Sequence, residues 1–283
     1  VNAAGPWLSN VDTGLGIAGR HKSRLVKGSH IVVPALFAGS HSYMLQQPDR
    51  RIVFAIPWAN GTTMIGTTEE AVSSPEAPTI SAEEADYLLN AANTAFVRQS
   101  AASDIVYTWA GVRPLVDDGA VDARTTTRDY ILDLDNAGAP LLSVLGGKIT
   151  TARHLAEDAM AKLGAALARP VEHVTKDRPF PGGKLPTDFS TFVERSASHW
   201  PFLGLQRTAR MAGAYGLALA QMLEGVETED GLGRDFGHGL TAREVDWLMD
   251  LEWAQTADDI LWRRTKLGLL FDDKQTKALA TYM

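Results

Sequence analysis

The chain has 283 residues, 45% hydrophobic and 22% charged, a length and balance that predict a folded, soluble protein of two domains and argue against extended disorder. With 27 basic and 34 acidic residues the formal charge is −7, and no basic patch interrupts it, so nucleic acid is not an expected partner. There is no cysteine, which excludes disulfides, thiolate metal ligands and a cysteine nucleophile, so redox chemistry would require a cofactor.

The opening run Val1-Asn2-Ala3-Ala4-Gly5-Pro6-Trp7 reads like the interior of a domain, and the chain is expected to be a fragment. Its apolar runs fall short of the about 20 residues that span a bilayer. Gly14-Leu15-Gly16-Ile17-Ala18-Gly19 has the glycine spacing of a dinucleotide turn, but lacks the preceding strand, the following helix and the later acidic residue, so it is expected to be a loop.

Between Arg24 and Leu145, short apolar runs separated by turn residues predict strands: Leu25-Val26, Ile31-Val32-Val33, 43–45, 51–56, 63–65, 105–109, 130–134 and 141–145. One helix is expected to interrupt them, because Ser81 precedes Glu84 by three residues in a capping-box pattern and Tyr87, Leu88, Ala91 and Ala95 follow at helical spacing. Gly146-Gly147 ends the strands and a helix is expected over 148–168. A Pro/Gly-rich linker near residue 180 then leads to helices over 189–198, 205–223, 241–256, 258–267 and 272–283. Asp235-Phe236-Gly237 lacks the companion motifs of a kinase and is expected to be a turn or helix end. The fold class is α+β: a mixed or antiparallel sheet domain followed by a small all-α domain.

Three segments could carry chemistry. Lys27-Gly28-Ser29-His30 is expected at the junction of two strands; taken alone, His30 is best read as a histidine satisfied within a sheet. Arg113, before Pro114, and Arg128, in Thr127-Arg128-Asp129-Tyr130, could converge on one anion, or form ion pairs with Asp117 or Asp129. Gly146-Gly147-Lys148-Ile149-Thr150-Thr151 joins glycines, a cation and hydroxyls to a helix amino-terminus, favouring a negatively charged or electron-rich ligand over a merely capped helix.

Together with Asn2-Ala3-Ala4-Gly5-Pro6-Trp7, Ile65-Gly66-Thr67-Thr68, Trp200-Pro201-Phe202-Leu203 and Ala257-Asp258-Asp259-Ile260-Leu261-Trp262-Arg263-Arg264, these segments resemble the FAD-dependent, quinone-linked glycerol-3-phosphate dehydrogenases along nearly the whole chain. The resemblance implies a glutathione-reductase-type flavoprotein without most of its FAD-binding domain. It divides the chain into a remnant of that domain (1–23), a substrate-binding sheet domain (24–147), a returning helix and linker (148–180) and a helical domain (181–283). The implied reaction converts sn-glycerol 3-phosphate to dihydroxyacetone phosphate by hydride transfer to FAD, with a quinone as final acceptor.

By the same resemblance His30 is the base, with a pKa near working pH, and Arg113 stabilises charge on the reacting oxygen. Arg128 binds phosphate with Lys148 or Thr150, although which arginine meets the phosphate stays open. Ala4, Gly5, Pro6, Trp7, Gly146, Gly147, Lys148, Ile149 and Thr150 lie about the flavin, which this fragment is not expected to retain. The implied location is the cytoplasm, at the inner face of the cytoplasmic membrane as a peripheral protein, with a homodimer as a candidate assembly. Two other readings are a non-catalytic anion-binding module, and a related FAD oxidase that uses oxygen and releases hydrogen peroxide.

Overall fold

The computed structural model describes residues 1–17, 21–116 and 129–283. They form two compact units, Val1–Lys176 and Asp177–Met283.

The first unit is built on β1, Ser23–Pro34, a strand of 12 residues. One edge of β1 pairs with β6, Tyr107–Val116; the other pairs with β4, Thr62–Gly66, and then with the two-residue β5, Glu70–Ala71. β3, Ile52–Trp58, and β2, Tyr43–Gln46, continue the sheet beyond β4, and every pairing is antiparallel. The expected junction at residues 27–30 is therefore the interior of one continuous strand. β6 also runs further than the expected 105–109, through Pro114. Among the described residues β6 pairs only with β1, so Pro114 lies on an edge strand, where a missing N–H is tolerated.

Side chains alternate across this sheet. One face carries Ile31, Val33, Val53 and Ile65, packed under Leu88, Leu89, Ala91 and Ala92 of α2, Ala82–Ala95. Its capping box forms as expected: the Ser81 hydroxyl accepts from the Glu84 N–H at 3.2 Å, and the Glu84 carboxylate accepts from the Ser81 N–H at 2.9 Å. The opposite face carries His30, Trp58, Trp109 and Arg113, and towards β2 it presents the exposed apolar side chains of Met44, Ile52 and Phe54.

A second, smaller ribbon pairs β7, Ile131–Asp135, with β8, Leu141–Leu145. Asn2 joins β8 in parallel at Ser143, through Asn2 N–H to Leu142 O at 2.7 Å and Val144 N–H to Asn2 O at 2.9 Å. The chain from Asn2 runs through a 3-10 turn, Gly5–Trp7, into α1, Leu8–Gly14, which the polar run Ser9 to Thr13 does not suggest. His21 ties this segment to the ribbon, with Nδ1 3.0 Å from Asp12 Oδ2 and Nε2 2.7 Å from Asp133 Oδ2. After β8, a 3-10 turn at Ile149–Thr151 leads into α3, Ala152–Ala166.

The second unit is helical: α4, Phe189–His199; α5, Gly204–Tyr215; α6, Ala218–Met222; α7, Ala242–Glu252; a π-helical turn at Asp259–Arg264; and α8, Asp273–Tyr282. Two expectations need correction. The helix expected over 205–223 breaks at Gly216, whose φ of 52° and ψ of −130° are not helical. The unit is also not all-α, since Asp235–Gly237 is a strand, β9, paired with β10, Leu240–Thr241. Gly237 N–H donates to Asp235 Oδ1 at 2.7 Å, folding that segment locally into a tight ribbon. The core gathers Met211, Tyr215, Leu219, Met222, Phe236, Val245, Leu248 and Ile260. Among the described residues, no helix is long and apolar enough to cross a membrane.

Candidate functional site

The register of the sheet gathers three glycines around His30. Gly28 on β1 faces Gly111 on β6, and His30, two residues along β1, faces Gly66 on β4 and Trp109 on β6. Two-residue spacing keeps Gly28, His30, Trp109, Gly111 and Arg113 on one face. Lacking Cβ atoms, the glycines leave a flat floor on which two functional side chains lie. A Cβ at Gly66 would sit 2.1 Å from His30 Cδ2, and one at Gly28 would sit 2.6 Å from Arg113 Nη2 and 2.6 Å from Thr67 Oγ1. At Gly111 a Cβ would meet nothing within 4 Å among the described residues, so they leave the floor open there.

His30 stacks on Trp109 with centroids 4.9 Å apart and planes 11° from parallel. Trp109 in turn lies 5.5 Å from Trp58. The buried Nδ1 of His30 has no hydrogen-bond partner among the described residues. A buried polar atom left unpaired is costly, and its usual explanation is a ligand or water that completes it. The reading of His30 as a satisfied sheet histidine therefore does not hold. Burial first, and the Arg113 guanidinium second, push its pKa down to about 4, not near neutrality as the free side chain suggests. The imidazole is consequently neutral at physiological pH and able to accept a proton.

Arg113 Nη2 donates to Thr67 Oγ1 at 3.1 Å, and the Thr67 hydroxyl donates to Thr68 O at 3.1 Å. This fixes the guanidinium beside His30. The structure thus brings together His30 and Arg113, and adds Gly66, Thr67, Trp109 and Gly111, to which sequence reasoning assigns no role. The motif Ile65-Gly66-Thr67-Thr68 carries the signal, but only the strand register shows that its glycine lies under the histidine.

The remaining candidates occupy a second locus. Because Asn2 pairs in parallel with Ser143, the two segments leave the ribbon at the same end, and the turns at Gly5–Trp7 and at residues 146–149 emerge together. Gly5, Gly146 and Gly147 all have positive φ, at 56°, 67° and 98°. The carboxyl end of adjacent parallel strands, leading into a helix amino-terminus, is a common ligand location. Ala4, Gly5 and Pro6 are half-buried there, whereas Trp7, Gly147, Lys148, Ile149 and Thr150 are exposed. Trp7 Nε1–H donates to Glu76 Oε1 at 2.5 Å. This locus lies at the end of β6: a Cβ on Gly146 would be 3.2 Å from Val116 Cγ2, three residues or about 10 Å along that strand from Arg113. Arg128, with its suggested partner Asp117, lies outside the described residues.

The glycine floor, a buried imidazole nitrogen with no partner among the described residues and a glycine-rich turn at a helix start are features of a ligand site. Residues 1–153 match the family model described as FAD dependent oxidoreductase, and residues 173–283 match the C-terminal domain of alpha-glycerophosphate oxidase. The chain belongs to the FAD-dependent oxidoreductase family. Within it, the chain is 45% identical over 287 aligned positions to a glycerol-3-phosphate dehydrogenase of Pseudomonas aeruginosa, covering 100% of this chain and 56% of that protein. It is 42% identical to the aerobic glycerol-3-phosphate dehydrogenase of Escherichia coli, covering 100% of this chain and 57% of that relative. The chain therefore spans a little over half the length of these relatives. A solved structure of the glycerol-3-phosphate dehydrogenase from Bacillus halodurans complexed with FAD superposes with a TM-score of 0.74 at 24% identity, over 98% of this chain and 59% of that one. It supports the mixed α/β fold of the family.

The glycine floor can be tested directly. Gly66→Ala places a methyl group where the His30 ring lies, so the ring must leave its stack on Trp109. The cost is about 1–3 kcal/mol, as for overpacking generally. Trp109 emission should then lose the pH dependence that a stacked, titrating histidine imposes on it, and an unchanged pH profile would contradict the packing described.

Proposed function

We propose that this chain supplies the substrate side of an FAD-dependent glycerol-3-phosphate dehydrogenase of the glutathione-reductase-type architecture. The carrying observation is that His30 and Arg113 lie together on a glycine floor, one with an unpaired nitrogen and the other with a guanidinium held by Thr67. FAD, when bound, supplies a two-electron acceptor for hydride from the carbinol carbon. The residues that would hold it are the turns at Ala4, Gly5, Pro6, Trp7 and at Gly146, Gly147, Lys148, Ile149, Thr150, where α3 and its leading turn offer backbone N–H groups to negative charge.

This chain's own residues do the rest. Neutral His30 takes the proton of the substrate's secondary hydroxyl, and the stacked indole fixes the ring plane while that proton moves. Arg113 opposes the negative charge that grows on the same oxygen. A bound phosphate dianion would offset the Arg113 charge and raise the His30 pKa towards working pH, so the histidine is a stronger base with substrate present than without. Arg128 receives the phosphate in a planar fork, assisted by Lys148 and Thr150. A quinone is the final acceptor, and the protein works in the cytoplasm at the inner face of the membrane.

Arg128→Ala in the full-length flavoprotein tests the substrate assignment. The requirement for glycerol 3-phosphate should rise by about 10- to 100-fold while that for glycerol barely changes, as for loss of a charged hydrogen-bond partner of about 1.5–3 kcal/mol. Equal effects on both substrates would remove the phosphate role. Release of hydrogen peroxide in step with turnover would favour the oxidase reading over the quinone-linked one.

A further inference from the structure

Beneath the glycine floor, on the α2 side of the sheet, lies an ionic cluster that the reaction as described does not use. Glu84, only 8% exposed, projects from the first turn of α2. Its Oε1 accepts from the Thr68 hydroxyl at 2.5 Å and the Ser29 hydroxyl at 2.8 Å. Its Oε2 accepts from the Ser81 N–H at 2.9 Å and lies 2.9 Å from Lys27 Nζ. Lys27, itself 9% exposed, also lies 2.7 Å from Glu70 Oε2 and donates to Thr79 O at 3.0 Å. Burial pushes the Glu84 carboxyl up, and the hydrogen bonds led by Thr68 outweigh it, so its pKa falls below the ordinary value.

Such a cluster is a poor way to gain stability, since buried charges cost desolvation that well-packed apolar side chains avoid. Its geometry suggests what it secures instead. The Thr68 hydroxyl that donates to Glu84 accepts from the Ser29 N–H at 2.9 Å, and the Thr68 N–H donates to Ser29 O at 3.3 Å. The turn after β4 is thereby stitched to β1 between Gly28 and His30. That turn follows directly on Gly66, the last residue of β4, against which the His30 ring lies, and it contains Thr67, which holds Arg113.

We propose that Glu84 is a positioning residue: acting through Thr68 from the far face of the sheet, it fixes the turn at residues 66–68 and so holds His30 and Arg113 at one mutual spacing over the floor. Its meaning for turnover rests on the dehydrogenase reading above, while its meaning for geometry does not. A displacement of about 1 Å in a reacting constellation can cost as much as 100-fold in rate.

The test separates the hydroxyl from the fold. Thr68→Val deletes the link to Glu84 while leaving the capping box and the Lys27 pair in place, and Thr68→Ser keeps the linking oxygen. Glu84→Gln keeps the volume but turns an amide N–H₂ towards donors that need an acceptor. In the full-length flavoprotein, Thr68→Val and Glu84→Gln should lower kcat by about 10- to 100-fold, with Thr68→Ser close to the parent. In the chain itself, NMR titration of the His30 ring should show its midpoint rising from about 4 towards the free value in Thr68→Val, because the ring gains water and loses its fixed guanidinium neighbour. Parent-like turnover and an unchanged His30 titration in Thr68→Val and Glu84→Gln would overturn the proposal. So would a loss of kcat that only tracks the unfolded fraction while His30 titrates as in the parent. If the parent protein fails to oxidise glycerol 3-phosphate, the dehydrogenase reading falls, and the titration alone still decides whether Glu84 positions the pair.

Discussion

His30→Ala in the full-length flavoprotein is expected to lower turnover by about 10²- to 10⁴-fold, the usual contribution of a positioned acid or base, with flavin content unchanged. The pH dependence of the parent enzyme should carry the same signature. Histidine serves as a base only while neutral, so once the ionisation of the substrate phosphate, at about pH 6, is divided out of kcat/KM, the enzyme's own acid limb should fall as His30 protonates near its depressed pKa of about 4. Once substrate is bound, the phosphate dianion opposes the Arg113 charge and kcat should fall at a higher pH than kcat/KM. Steady-state rates at saturating and limiting substrate measure both. Parent-like turnover in His30→Ala, or an enzyme limb centred above about 6.5 after the substrate's ionisation is divided out, would remove His30 from the role.

The second large effect concerns stability. Glu244, at the start of α7, is 0% exposed and meets Arg210 through two contacts of 2.7 Å, while the Tyr215 hydroxyl donates to its Oε1 at 2.6 Å. Arg210 is raised, its burial outweighed by the bonds to Glu244, and the Tyr215 hydroxyl is pushed well above its ordinary value by burial and by that carboxylate. Glu244→Ala leaves a partly buried guanidinium without the carboxylate that pairs it, which costs as much as about 3–5 kcal/mol when one partner of a buried pair is removed. Denaturant titration should show the midpoint of the second unit falling with little change in slope. A loss below about 1 kcal/mol would place this pair with the weak surface bridges instead.

Features set by neighbours along the chain are legible in the sequence itself. The capping box from Ser81 to Glu84 and the helix it starts follow from local patterns and form where expected, while the helix expected from residue 148 opens with a 3-10 turn and becomes α-helical at Ala152. The helix break at Gly216 is not legible there, because its cause is remote. The Leu217 N–H donates to Gly182 O at 3.0 Å, and a Cβ on Gly216 would lie 2.2 Å from that same oxygen, so the chain can pass only there and only as glycine. Hydrophobic spacing across 205–223 carries no trace of this crossing.

The site divides in the same way. His30 and Arg113 are visible as residues, but their proximity depends on the β1–β6 register, in which Val26 faces Arg113 and His30 faces Trp109. Pairing register is a tertiary fact, which is why residue patterns alone do not mark Gly66, Trp109 and Gly111 as floor. The depressed pKa of His30 escapes the sequence for the same reason, since burial and the arginine's charge are both supplied by strands distant along the chain. Glu84 illustrates the opposite error of reading too locally: its capping role is evident from spacing, and its second contact, to Thr68 across the sheet, is not.

If this chain presents glycerol 3-phosphate to a flavin, as proposed, substrate alone should reduce that flavin. Anaerobic addition of glycerol 3-phosphate to the FAD-loaded full-length protein, followed by visible absorption, tests it most directly. The oxidised flavin band should bleach on mixing in the parent, and far more slowly in His30→Ala at equal flavin occupancy. A parent flavin that stays oxidised with glycerol 3-phosphate in excess, or a His30→Ala flavin reduced at the parent rate, would contradict it.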